Sequence, residues 1–198
     1  GGDPVRARRN LQQQVYNLRA ALGQDRIELV GSSYRLRREN TERDSVVADD
    51  GYHAARALTE LDPVAARRRV REVLSRFRGP PLAEFASADW ARAEAAQLDQ
   101  THESLRILDY ELRLQAGDDS LIAELKVLTD QQSENERYWA FLMTALYRAG
   151  RQEEALRAFQ SARRRLRDRF GLQPGPALVE LERQILTQAP ELMRSTEQ

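Results

Sequence analysis

The chain has no cysteine, so it can hold neither a disulfide framework nor a thiolate metal site. Lysine is almost missing as well. Lys126 is the only one, and no glycine-rich loop precedes it, which removes the phosphate-cradling loop that ends in Lys. Histidine occurs only at His53 and His102, far apart in sequence. Each reads as a helix-surface or packing residue rather than a ligand. No apolar run approaches the roughly 20 residues needed to cross a bilayer, and Gly1-Gly2-Asp3-Pro4 lacks the basic-then-apolar layout of a secretory leader. These absences predict a cytoplasmic protein with no membrane contact, no cofactor, no metal ligands and no catalytic residues.

What is present is an ordinary globular composition. Hydrophobic residues make up 41%, enough for a real core, and acidic and basic residues balance at 31 each. The balance is not local. Residues 1–43 hold nine Arg against five acids, a net of +4, so the remainder carries −4.

Leu11, Val15, Leu18 and Leu22 recur at helical spacing, which places them on one stripe of a helix predicted from about Val5 to Leu22. Pro4 suits its first turn and Gly23 its left-handed exit. At 100° per residue the opposite side carries Arg6, Arg9, Gln13, Tyr16 and Asn17, all long donors or acceptors. Ile27–Val30 and Tyr34–Arg37 then alternate around Gly31-Ser32-Ser33, which predicts a β-hairpin. A helix ending in this way, followed by a hairpin whose second strand opens Tyr-Arg-Leu, resembles the C-terminal half of a response-regulator-type winged helix. The resemblance implies a recognition helix and a wing. Carried over, Arg9, Gln13, Tyr16 and Asn17 would face the major groove of double-stranded DNA, Arg6 on the same polar side would also contact the DNA, and Ser32, Ser33 and Arg35 would lie on or near the wing. Ser33 departs from the Gly usual before the wing Tyr.

Beyond Arg43 the strand signals stop. Gly and Pro punctuation marks off helices near Ser45–Leu61, Val64–Arg78, Ser87–Ala116, Ser120–Gln131, Glu134–Ala149, Gln152–Phe170 and Ala177–Gln188. Ser133 and Glu136 have capping-box spacing, and Leu172 is expected to fold back on Leu166 after Gly171. The acid pairs Asp49-Asp50, Asp118-Asp119 and Glu153-Glu154 are expected at helix beginnings, where the dipole favours them. The runs Arg67-Arg68-Arg69 and Arg163-Arg164-Arg165 read as solvated faces. Trp139, Leu142, Ala155, Phe159 and Ala162 occupy tetratricopeptide spacing, and Gly117 and Gly150 repeat it at 33 residues. One continuous core is expected along this body.

Phe77-Arg78-Gly79-Pro80-Pro81-Leu82, Trp90, Leu142–Arg151 and Leu166–Pro176 with Leu178 and Leu181 are similar to the bacterial transcriptional activator domain. That domain follows a winged helix in the Streptomyces antibiotic regulatory protein family. The expected architecture is therefore mainly α. Residues 1–43 would form the C-terminal half of a winged-helix domain, 44–190 a tetratricopeptide-like activator domain, and 191–198 a tail. The resemblance implies an activator that binds promoter repeats, often as a homodimer, and engages RNA polymerase. The competing reading is a tetratricopeptide-like interaction or sensory module of a larger signalling protein.

Overall fold

A computed structural model describes residues 4–37 and 44–192. The boundary segment 38–43 and residues 193–198 of the expected tail lie outside the described residues. The chain divides into two compact units, one ending at Val46 and the other beginning at Val47.

The first unit opens with α1 (Pro4–Leu22), which Gly23 ends at φ +102° with its N–H on the Arg19 carbonyl. A turn of 3-10 helix (Gln24–Arg26) leads into β1 (Ile27–Val30) and β2 (Ser33–Leu36). These strands pair antiparallel in the register Ile27↔Leu36 through Val30↔Ser33, leaving Gly31-Ser32 as a two-residue turn. Gly31 supplies φ +62°, so the left-handed requirement falls on the first turn position, where Gly is preferred. Ser33 is simply the first strand residue. The conformational freedom that the missing Gly would have given is supplied two residues earlier.

The expected apolar stripe of α1 exists but is not covered along its length. Val15 is buried with Ile27, whereas Leu11, Leu18 and Leu22 remain about half exposed. The physical reason is size: two four-residue strands and one 3-10 turn cannot shield a helix of 19 residues.

The second unit is all helical among its described residues: α2 (Asp44–Leu58, whose first residues fall before the division), α3 (Pro63–Leu74), α4 (Asp89–Gln115), α5 (Leu121–Gln131), α6 (Glu136–Arg148), α7 (Gln152–Phe170) and α8 (Pro176–Leu186). α2 stops three residues earlier than expected because Asp62 starts the next helix. Its carboxylate accepts from the Ala65 N–H at 2.9 Å, with Pro63 in the first turn. Gly117 (φ +65°) and Gly150 (φ +74°) each close a helix by the same pair of bonds. Asp118 N–H reaches Arg113 O and Arg151 N–H reaches Leu146 O, while each Gly N–H bonds three residues back.

Three local expectations are corrected. Asn135, not Ser133, caps α6, accepting from the Arg137 N–H at 3.2 Å. Ser133 is fully buried, its carbonyl accepting from Trp139 Nε1 and its hydroxyl from Arg169 Nη1. Glu136 accepts instead from the Gly175 N–H at 2.7 Å, which anchors the loop before α8. Leu172 N–H does fold back onto Leu166 O at 3.1 Å, but its side chain stays exposed, so the link is a backbone one. Asp49-Asp50 sits in the second turn of α2 rather than at its start, and Asp49 accepts from Thr101 Oγ1 at 2.6 Å.

The core is two clusters, not one. Ala48, Ala55, Ala66, Val70 and Val73 pack with Leu105, Leu108 and Leu112 of α4. Tyr110, with Ile107 and Leu114 packed alongside, joins the larger cluster built on α5, α6, α7 and α8. Both α4 triplets have helical spacing and lie on different faces, so this one helix serves two cores. The tetratricopeptide positions Trp139, Leu142, Ala155, Phe159 and Ala162 are all buried in the larger cluster, small residues of α7 meeting large ones of α6. The body is a tetratricopeptide-like helical repeat.

Candidate nucleic-acid interface

The sequence assigned two stretches to a ligand, the polar face of α1 and the hairpin, and the geometry of each can be read residue by residue. Arg6, Arg9, Gln13, Tyr16 and Asn17 are all exposed, and Tyr16 keeps 65% of its surface open. Gln13 Nε2 donates to Asn17 Oδ1 at 3.2 Å, one turn along, which holds the two amide side chains side by side. Arg6 and Arg9 make no ion pair among the described residues. Their guanidinium donors are therefore open to an external acceptor. The helix thus presents bidentate-capable Arg, Gln and Asn groups in one row, the side-chain types that read guanine and adenine edges in a major groove.

On the hairpin, Ser32 occupies the turn and Ser33 begins β2; both are exposed. Arg35 is exposed and lies across the ladder from Glu28, 3.8 Å from its carboxylate, while Arg37 approaches the same carboxylate at 3.4 Å. Such exposed pairs are worth about 0–1 kcal/mol, so a phosphate could compete for the Arg35 guanidinium at little cost.

The residue that holds this arrangement together was missed in the sequence. Arg19, on the flank of α1, donates from Nε (3.0 Å) and Nη2 (2.7 Å) to the Ile27 carbonyl at the start of β1. Its guanidinium carbon lies 5.9 Å from the centre of the Tyr34 ring on β2. One side chain therefore ties the helix to both strands. A basic residue in the last helical turn was the available signal, but it suggests only a favourable dipole contact. Val15 and Ile27 complete the small apolar junction.

The other candidates fare differently. Structural partners divide the two arginine runs. Arg165 donates to Thr129 O (3.1 Å) and Asp130 (2.5 Å) and lies over Trp139, while Arg67 reaches Asp118 (3.1 Å) and Arg69 reaches Glu72 (2.8 Å). Arg68 and Arg163 are left exposed without ion pairs among the described residues, and Arg164 donates only to Ser161. His102 stacks on Phe77 with ring centres 4.4 Å apart, and burial pushes its pKa below the ordinary 6.5. His53 meets Tyr52 edge-on. Among the described residues no three His, Asp or Glu side chains converge as a metal-binding group, and no helix is long and apolar enough to cross a membrane.

Residues 43–186 match the bacterial transcriptional activator domain. The chain belongs to that family. It is 33% identical over 200 residues to regulatory protein AfsR of Streptomyces griseus, which covers 98% of this chain and 20% of that protein. Transcriptional regulator RedD of Streptomyces coelicolor is 36% identical over 137 residues, covering 69% of this chain and 39% of RedD. Transcriptional regulatory protein EmbR of Mycobacterium tuberculosis is 32% identical over 198 residues, covering 94% and 50%. The solved structure of Mycobacterium tuberculosis EmbR in complex with a low affinity phosphopeptide superposes with a TM-score of 0.78 at 30% identity, over 94% of this chain and 52% of that one. The chain thus spans between a fifth and a half of the length of these curated relatives. They are regulators of the Streptomyces antibiotic regulatory protein type, and that membership agrees with the resemblance carried by the sequence. The architecture is mainly α, a helical repeat preceded by the helix and hairpin of a partial winged helix.

Proposed function

We propose that this chain is part of a DNA-binding transcriptional activator, in which α1 is the recognition helix, the β1–β2 hairpin is the wing, and the helical body carries the contacts to other proteins. The observation that supports this most directly is the row of Arg6, Arg9, Gln13, Tyr16 and Asn17, open to solvent on a helix that Arg19 locks to its hairpin. In this reading Arg9 and Gln13 pair with base edges, and Tyr16 and Asn17 extend the contact along the groove. Arg6, Ser32, Ser33 and Arg35 meet sugar and phosphate. Residues 1–43 are then the back half of the DNA-binding domain and 44–190 the activator domain. Double-stranded promoter DNA and RNA polymerase are the partners, with pairing of two copies matching a repeated site. The site of action is the cytoplasm. The role requires no catalytic chemistry, since binding alone recruits the polymerase.

The test is binding of the full-length gene product to promoter DNA. Arg9→Ala combined with Gln13→Ala removes two bidentate contacts of about 1–3 kcal/mol each, so specific affinity should fall roughly 30-fold or more while non-specific affinity changes less. Arg35→Ala should weaken binding to all sequences alike and lower the salt slope by about 1. If the double variant holds its promoter as tightly as the parent, the recognition-helix assignment fails.

A further inference from the structure

The helical body has an open groove of about 1200 Å³ between the α2–α3 turn, the first turns of α3 and the C-terminal end of α4. It exceeds the ~300–1,000 Å³ of a small-molecule pocket, so its scale suits a polypeptide segment. Two kinds of side chain line it. Leu61 and Val64 are apolar yet 84% and 80% exposed, the most open of the large apolar side chains described. Leu112 connects them to the smaller core, in which it is buried. Arg67, Arg68 and Arg71 form the α3 wall at a spacing that keeps them on one flank of the helix.

Charge accounting on this wall is specific. Arg67 is held by Asp118 at 3.1 Å, and Glu72 is taken up by Arg69 at 2.8 Å. Arg68 and Arg71 make no ion pair among the described residues. Glu60 is the single uncompensated carboxylate on the lining. Arg157 and Arg167 of α7 and Arg183 of α8 each have a carboxylate on their own helix, whereas Arg163 of α7 shares with Arg68 and Arg71 the lack of an ion pair among the described residues, without comparably exposed Leu or Val side chains on its own helix. Water hydrates the unpaired guanidinium groups but leaves the adjoining Leu61 and Val64 side chains uncovered. Phosphate would engage the arginines but leave the apolar pair in water. A neutral apolar segment would leave the guanidinium groups desolvated and unpaired.

We propose that this groove docks an acidic amphipathic helix of another protein, whose apolar side chains cover Leu61 and Val64 while its carboxylates pair with Arg68 and Arg71. Helix-in-groove recognition uses this combination of apolar anchors at helical spacing and complementary rim charge. The inference does not depend on the DNA-binding reading, because it involves residues of the helical body alone.

The test uses the whole 198-residue chain and a fluorescein-labelled amphipathic Glu/Leu peptide of about five helical turns, followed by fluorescence anisotropy. Controls are the Lys/Leu counterpart, a Glu/Ser peptide of equal charge, and unlabelled duplex DNA as competitor. Saturable binding of the Glu/Leu peptide alone is expected. It should weaken about tenfold or more in Leu61→Glu with Val64→Glu, and also in Arg68→Glu with Arg71→Glu. All four side chains are exposed, so far-UV circular dichroism should be unchanged in both variants. No saturable binding, or binding that ignores both variants, overturns the proposal. Equal binding of the Glu/Ser peptide reduces the groove to an electrostatic patch and also overturns it. Displacement by duplex DNA assigns the wall to nucleic acid. A dimer in light scattering that Leu61→Glu with Val64→Glu dissolves assigns the groove to a second copy. Either of these results ends the proposal as stated.

Discussion

Arg19→Ala should detach the hairpin from α1 without unfolding the helical body. The substitution removes two charge-assisted donations to the Ile27 carbonyl, at 3.0 and 2.7 Å, and the stacking of the guanidinium on Tyr34. Hydrogen bonds to a charged group contribute about 1.5–3 kcal/mol together with the loss of partner satisfaction, and a partly exposed cation–π contact adds about 0.5–1 kcal/mol. Arg19 is itself only half-buried, so solvent reclaims part of this, and a net loss of about 2 kcal/mol is expected. A two-stranded hairpin is marginal without support, so that loss falls directly on its opening equilibrium. Native-state hydrogen exchange reads it: amide protection in Ile27–Leu36 should drop about 30-fold, since 1.4 kcal/mol is a factor of ten. Amides of α6 and α7, in the other unit, should be unchanged. Arg19→Lys keeps the charge but loses the fork, and should recover less than half. Unchanged hairpin protection in Arg19→Ala would refute the claim that this side chain holds the wing to the helix.

Gly51→Ala should destabilise the second unit although alanine is the better helix former. A Cβ there would lie well inside van der Waals contact distance of Val73 Cγ2, and the clash of about 1–3 kcal/mol outweighs the ~1 kcal/mol propensity gain. Thermal melting should show a lower midpoint, largely restored by adding Val73→Ala. Arg148→Ala should cost about 2–3 kcal/mol in urea unfolding, because the half-buried guanidinium donates to Leu114 O (2.8 Å) and Leu192 O (3.0 Å) and joins the end of α4 to the last turn. Ser120, through its hydroxyl, and then Arg113 hold the Asp118 carboxyl down at about 2. Its contribution is therefore complete above the ordinary 3.8 and is lost as pH falls through about 2. Asp118→Asn should flatten the stability profile between those two values, and a profile identical to the parent's would contradict the assignment.

The sequence was sufficient wherever the cause lies within a few residues. Gly23, Gly117, Gly150 and Gly171 each adopt positive φ at a helix end, as a residue without Cβ does at low cost. The alternation around Gly31-Ser32-Ser33 set the hairpin, but not its register: Ser33 opens β2 opposite Val30 instead of closing the turn. The apolar spacing on α6 and α7 placed Trp139, Leu142, Ala155, Phe159 and Ala162 in a core. The polar row of α1 follows from the same periodicity.

What tertiary structure alone decided involves partners far along the chain. Ser133 has the spacing of a cap, but Arg169, 36 residues on, takes its hydroxyl, and Glu136 serves Gly175, 39 residues on. Adjacent arginines look alike in the sequence, yet Arg67 meets Asp118 and Arg68 has no ion pair among the described residues, although both line the groove beside Leu61 and Val64. Helical periodicity fixes which face of a segment is apolar. Whether another segment arrives to cover that face, or a carboxylate to neutralise it, is decided by packing across 30 to 50 residues, and no local rule contains that distance.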